Sequence, residues 1–177
     1  MPSADVDTMV LNLMALDLLV LAERLGHLCQ GQDICVTTAE SCTGGGVASA
    51  ITAVAGSSNW FETGYVTYSN AAKRRLLGVS DALLTAQGAV SREVVDAMVA
   101  GACRESGAQL GVAISGVAGP GGGSAEKPVG TVWLAWGSAD ASHAECRHFA
   151  GDRQAVREQA VREALIGLIR HLSPSEG

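Results

Sequence analysis

Two short stretches of the 177-residue chain hold residues whose types and spacing suit chemistry. In the first, the β-branched run Ile34–Thr38 passes into Glu40-Ser41-Cys42-Thr43-Gly44-Gly45-Gly46 and then into a helix-like segment, Val47–Ala55. A serine at the end of a buried strand, followed by glycine backbone that opens a helix, has the parts of an acyl-transfer site. Helix N-termini leave N–H groups unpaired, and such groups hold a developing oxyanion. Glycine lets that backbone approach a substrate closely. Ser41 and Thr43 are equally well explained as plain helix caps. The second stretch is Tyr65-Val66-Thr67-Tyr68-Ser69-Asn70-Ala71-Ala72-Lys73, where a strand gives way to a helix. A lysine becomes a base when burial or a neighbouring cation drives its pKa toward neutrality. On spacing alone Lys73 reads as an exposed helix lysine.

Other chemistries lack their residues. The G-x-x-x-x-G-K-[ST] phosphate loop is absent. So is the G-x-S-x-G elbow, because Glu40 and Cys42 flank Ser41. His27, His143, His148 and His171 stand beside no loop motif and read as surface or helix-end residues. No H-x-x-H or C-x-x-C spacing and no carboxylate cluster offers a metal site, so neither metal nor cofactor is expected.

The elements that must position these residues alternate between helix and strand. A leading helix is expected over Asp5–Cys29, with Gly26 near its end. Strands are expected at Ile34–Thr38, Phe61–Ser69 and Leu110–Ser115, and a hairpin-like pair at Val129–Trp136 and Ala144–Phe149. Asn70 is expected to cap a helix over Ala71–Leu77, Asp81 and Ser91 two more, and Asp152 the last, whose apolar stripe runs from Val156 to Ile169. This pattern gives an α/β class: a layered, mixed sheet of five or six strands covered by helices, in one domain. Trp133 and Trp136, three residues apart on one strand, face opposite sides of the sheet.

Composition bounds the function. A chain that is 47% hydrophobic and 17% charged is too apolar for disorder. A net charge of −6 argues against a nucleic-acid-coating protein, though not against a small anion held by a few local donors. Of the 22 glycines, eight sit in two short clusters, Gly44–Gly46 and Gly116–Gly123, which mark loops. Five scattered cysteines suggest a reducing cytoplasm without disulfides. The apolar Val10–Ala22 run is interrupted by Asn12 and Asp17 and falls short of the roughly 20 residues a membrane span requires. It reads as a helix with two buried faces, one of them against another subunit.

Several ordered motifs carry a resemblance. Thr38-Ala39-Glu40-Ser41-Cys42-Thr43-Gly44-Gly45, Ala55-Gly56-Ser57-Ser58 and Val66-Thr67-Tyr68-Ser69-Asn70-Ala71-Ala72-Lys73 closely resemble the bacterial nicotinamide-nucleotide amidohydrolase family. So do Gly88-Ala89-Val90-Ser91, Ser115-Gly116-Val117-Ala118-Gly119-Pro120-Gly121-Gly122 and Lys127-Pro128-Val129-Gly130-Thr131-Val132. This family occurs alone or as the C-terminal domain of competence/damage-inducible protein A; the likeness spans about residues 33–170 and suits the free-standing form.

The resemblance implies metal-independent deamidation of nicotinamide mononucleotide to nicotinate mononucleotide and ammonia, with Ser41 as nucleophile and Lys73 as base. Tyr68, in the same motif, is expected to orient Lys73 or the oxyanion. Backbone N–H groups of Cys42, Thr43, Gly44 and Gly45 are expected to form the oxyanion hole; Cys42 is the rival nucleophile. Gly116, Gly119, Gly121 and Gly122 would line a substrate loop. Arg153 or Arg157 would hold the phosphate, or would pair with acidic neighbours on a solvated face. Nicotinamide mononucleotide is the expected partner, with neither nucleic acid nor membrane, in a cytoplasmic homo-oligomer, a dimer or higher. A non-catalytic nucleotide-binding regulatory module and an amidase for another small amide are the competing readings.

Overall fold

The described residues build one five-stranded sheet, and an interior strand of it leads directly into Ser41. The structure is a computed structural model and describes Leu13 and residues 16–174. In chain order the strands are β1 (Val36–Glu40), β2 (Phe61–Val66), β3 (Leu110–Gly116), β4 (Thr131–Gly137) and β5 (Ser142–His148). They lie in the order β2-β1-β3-β4-β5. β2, β1 and β3 are parallel, and β4 and β5 continue antiparallel. The expected mixed sheet is thus present, with five strands. The described helices are α1 (Leu18–Gln32), α2 (Gly46–Thr52), α3 (Asn70–Leu77), α4 (Asp81–Gln87), α5 (Arg92–Ser106) and α6 (Arg153–Leu172). No described helix is long and apolar enough to cross a membrane.

Two apolar layers sandwich the sheet, and period-two alternation assigns each strand residue to one of them. Val36, Val112, Ile114, Leu134 and Trp136 meet α1, α2 and α6 on one face. Ala39, Ala113 and Ala135 meet α5 on the other, with Leu77 of α3 and Leu84 of α4. All five β1 residues are buried, as expected of a parallel strand covered on both sides. Trp136 lies under α6, its indole N–H donating to the Ala164 carbonyl at 3.0 Å, and Gly167 leaves room for the ring. Trp133 faces the other layer, so the two tryptophans do point apart.

Element boundaries shift for identifiable reasons. The leading helix begins at Leu18, with the Asp17 carboxylate accepting from the Val20 N–H at 3.1 Å; its expected beginning lies largely outside the described residues. It ends at Asp33 in a left-handed conformation, not near Gly26. Gly26 sits inside the helix because the Trp60 ring lies on it: a Cβ there would come within 2.9 Å of the indole. Ser69 caps α3 and Ser80 caps α4, each one residue before the expected cap. Ser91 and Asp152 cap as expected. β2 stops at Val66 because its only ladder partner, β1, ends at Glu40, the residue paired with Val66.

Candidate active site

β1 is the point where the chain reverses its winding. The connection to β2 runs through α2 on one face, while the connection from β2 to β3 runs through α3, α4 and α5 on the other. In open α/β sheets such a switch leaves a crevice at the carboxyl ends of the strands, where ligands bind. Ser41 occupies that place. Its N–H continues the ladder to the Ile114 carbonyl at 2.9 Å, and the Thr67 N–H donates to the Glu40 carbonyl at 2.9 Å.

Alternation then divides two consecutive side chains between the faces. Glu40 turns toward α2, fully buried. Its carboxylate accepts from Thr43 Oγ1 at 2.6 Å, from the Val47 N–H at 2.9 Å and from the Ala48 N–H at 3.1 Å. It therefore caps α2 from the preceding strand and ties down the loop between them. Ser41 turns toward the opposite layer and meets Lys73, which α3 directs inward. Lys73 Nζ is 2.9 Å from Ser41 Oγ and 2.8 Å from the Thr67 carbonyl, and the lysine is 1% exposed. Burial lowers its pKa to about 8, and neither of its hydrogen-bond partners is a carboxylate that would hold the charge. The exposed helix lysine that spacing alone suggests is thus overturned.

Cys42 is a poor rival. Its thiol is buried, and desolvation pushes its pKa up to about 11, so the thiolate is scarce near neutrality. The loop backbone narrows the oxyanion donors. Gly44 N–H turns back to the Ser41 carbonyl at 3.0 Å, which removes Gly44 from the four expected donors. The N–H groups of Cys42, Thr43 and Gly45 donate to no other described residue. Gly44 and Gly45 have φ of 58° and 99°, a left-handed turn that glycine adopts without strain.

The remaining residues gather around this crevice in altered roles. Tyr68 does not reach the Ser–Lys pair by a hydrogen bond. Its hydroxyl, on a 62% exposed side chain, accepts from Arg153 Nη2 at 3.0 Å. Arg153 Nη1 donates to the Gly119 carbonyl at 2.9 Å, joining the loop after β3 to the segment after β2. Gly119 is buried there, while Gly121 and Gly122 are exposed and Gly116 closes β3. Arg157 braces the serine loop, with Nε on the Cys42 carbonyl at 3.1 Å and Nη2 on the Thr43 carbonyl at 3.3 Å. Neither arginine is paired with an acidic side chain among the described residues. Ser115, 1% exposed, follows Ile114 on the strand beside β1 and faces the Lys73 layer. Glu40 and Ser115 escaped sequence reasoning. For Glu40 a signal existed: a carboxylate three residues before a threonine, at a strand-to-helix turn.

A sheet covered on both faces, with a buried lysine hydrogen-bonded to a serine at its switch point, defines an α/β protein with a Ser–Lys site. Residues 19–172 match the family model described as CinA C-terminal domain, and the chain belongs to that family. It is 62% identical over 150 residues to nicotinamide-nucleotide amidohydrolase PncC of Pseudomonas putida, across 85% of this chain and 94% of that one. Nicotinamide-nucleotide amidohydrolase PncC of Escherichia coli strain K12 is 52% identical over 152 residues, covering 84% and 91%. Among solved structures, competence damage-inducible protein A from Klebsiella pneumoniae superposes with a TM-score of 0.86 at 38% identity, over 89% of this chain and 98% of that one. Competence/damage inducible protein CihA from Agrobacterium tumefaciens gives 0.83 at 45% identity, over 86% and 94%.

Proposed function

We propose that this chain hydrolyses the carboxamide of nicotinamide mononucleotide to nicotinate mononucleotide and ammonia, with Ser41 as nucleophile and Lys73 as base. One observation carries the reading: a buried lysine without a carboxylate partner, 2.9 Å from a serine hydroxyl at the sheet's switch point. The names of the Pseudomonas putida and Escherichia coli relatives supply the substrate.

With Lys73 neutral, the Ser41 hydroxyl donates its hydrogen bond to Nζ and gives up its proton as Oγ attacks the amide carbon. N–H groups of Cys42, Thr43 and Gly45 face the oxyanion that develops. The lysine ammonium, held by the Thr67 carbonyl, returns the proton to the leaving nitrogen, so ammonia departs and an acyl-serine ester remains. Water, deprotonated by the same amine, adds to the ester; collapse breaks the acyl–Oγ bond as the ammonium returns the proton to Oγ, which releases the acid and restores Ser41 and neutral Lys73. Tyr68 and Val129, both exposed and both beside the Arg153–Gly119 link, offer apolar surface to the pyridine ring.

The five described free cysteines fit a reducing cytoplasm. Exposed Leu19 and Val20 on α1 support a homo-oligomer; Leu19 also lines a cleft of about 500 Å³ whose walls mix Leu18, Ala50 and Val161 with Arg157 and Glu158. Light scattering on the purified protein gives the subunit number.

The test is ammonia release from nicotinamide mononucleotide, nicotinamide riboside and nicotinamide, by wild type and Ser41→Ala. Wild type is expected to act on the mononucleotide, and Ser41→Ala to lose turnover while calorimetry still detects nucleotide binding. Activity that persists in Ser41→Ala but vanishes in Cys42→Ala overturns the assignment of the nucleophile. A wild type active only on some other amide overturns the substrate.

A further inference from the structure

The arginines that sequence reasoning offers for the phosphate are both occupied by backbone carbonyls or by Tyr68. Another cation stands at the same crevice. Arg92 is the first residue of α5, and its guanidinium lies over the Trp133 ring, 5.7 Å from the centroid. Arg92 is exposed, and its guanidinium donates to no described acceptor and pairs with no described carboxylate.

Register fixes where this group lies. Ser115 is paired with Trp133 across the β3–β4 ladder, and Glu40 with Ile114 across β1–β3. Ser41, Ser115 and Trp133 therefore form one cross-strand row on the face that carries Lys73. Neighbouring strands lie about 4.8 Å apart, so Trp133 stands two spacings, roughly 10 Å, from Ser41. α5 runs back under the sheet to β3, which brings its N-terminus to the end of the sheet where Ser41 sits.

A guanidinium held over a ring by cation–π attraction is restrained in position, and that attraction uses none of its N–H donors, which remain available to match a phosphate bidentately. The position at the start of a 15-residue helix adds to the local positive potential. In a chain of net charge −6, local placement of this kind is what an anionic substrate needs.

We infer that Arg92, held in place by Trp133, recognises the phosphate of the substrate nucleotide while its carboxamide lies at Ser41. This rests on the amidohydrolase reading and adds the group that separates the mononucleotide from the riboside. The experiment measures kcat/KM for nicotinamide mononucleotide and for nicotinamide riboside in wild type, Arg92→Gln, Arg92→Lys and Trp133→Leu. The quantity read is the ratio of the two values. Loss of a charge-assisted phosphate contact is worth roughly 10- to 100-fold, so Arg92→Gln is expected to lower the ratio by that factor, mostly through KM for the mononucleotide. Arg92→Lys recovers part of it, and Trp133→Leu loses part of it. An unchanged ratio in Arg92→Gln overturns the inference and leaves the amidohydrolase reading intact. So does a wild type that handles both substrates equally. A folded wild type that releases ammonia from neither overturns both.

Discussion

A hydrogen bond between a buried amine and a hydroxyl carries a definite pH dependence. Only neutral Lys73 can accept the Ser41 proton, and burial lowers its pKa to about 8. Activity is therefore expected to rise with pH through a single ionisation near that value and to level off above it. Arginine stays charged at every working pH and cannot serve as a base. Lys73→Arg is expected to lower kcat by about 10²–10⁴-fold without a matching change in KM. Steady-state kinetics from pH 6 to 10 on both proteins checks this; near-normal kcat with only a raised KM would make Lys73 a fixed cation. At this scale the sequence spoke clearly through its motifs: Ser41 and Lys73 are brought together as their motifs imply. The hydrogen bonds of the two arginines were not legible, because Arg157 donates to main-chain carbonyls up to 115 residues away and Arg153 to the Gly119 carbonyl and the Tyr68 hydroxyl. A carbonyl belongs to every residue and leaves no trace in the order of side chains.

Among the elements, the serine loop depends on a group that does no chemistry itself. Glu40 binds the start of α2 and Thr43 together while Ser41, the next residue, faces Lys73. In Glu40→Gln an amide N–H must face one of the donors that the carboxylate accepts. An unsatisfied buried donor costs about 1–3 kcal/mol. We expect a lower melting temperature and a kcat reduced about tenfold or more, with KM and the alkaline midpoint of the pH profile little changed. A variant with wild-type kcat would separate Glu40 from loop positioning. The elements were readable in kind from periodicity and turn residues. Their ends were not, since Ser69 and Ser80 displaced Asn70 and Asp81 as caps through a choice between adjacent residues of similar capping strength. Gly26 looked like a stop and serves instead as a seat for Trp60, a contact set by tertiary packing.

For the molecule as a whole, Lys73 is a local burden on stability. Its pKa falls from the ordinary 10.5 to about 8 in the folded chain, so between those values the unfolded chain binds more protons and stability rises with pH. Below pH 8 the folded protein carries the full penalty of a buried ammonium. Lys73→Met removes the titration. Its melting temperature relative to wild type is expected to be highest at pH 6–7 and to decline by pH 10. Thermal unfolding of the two proteins across that range tests it, and a difference independent of pH would mean that Lys73 titrates alike in both states. The layered architecture was legible from the alternation of helices and strands. Strand order was not, because neighbours β1 and β3, which end at Glu40 and begin at Leu110, are separated by a long stretch in which nothing marks the pairing.

The opposed directions of Glu40 and Ser41 have a consequence for anyone who would transplant this chemistry. A serine and a lysine placed on a foreign α/β scaffold would reproduce the visible pair but not the restraint behind it. The anchor and the reacting hydroxyl sit on one strand, one residue apart, so their orientations are geared together by the pleat. Inserting or deleting a single residue inside β1 would exchange them, presenting a carboxylate to the lysine and burying the hydroxyl under α2. The smallest portable unit is therefore the strand end with its following loop and helix start, Ala39–Ala48, with α3 as the carrier of the amine.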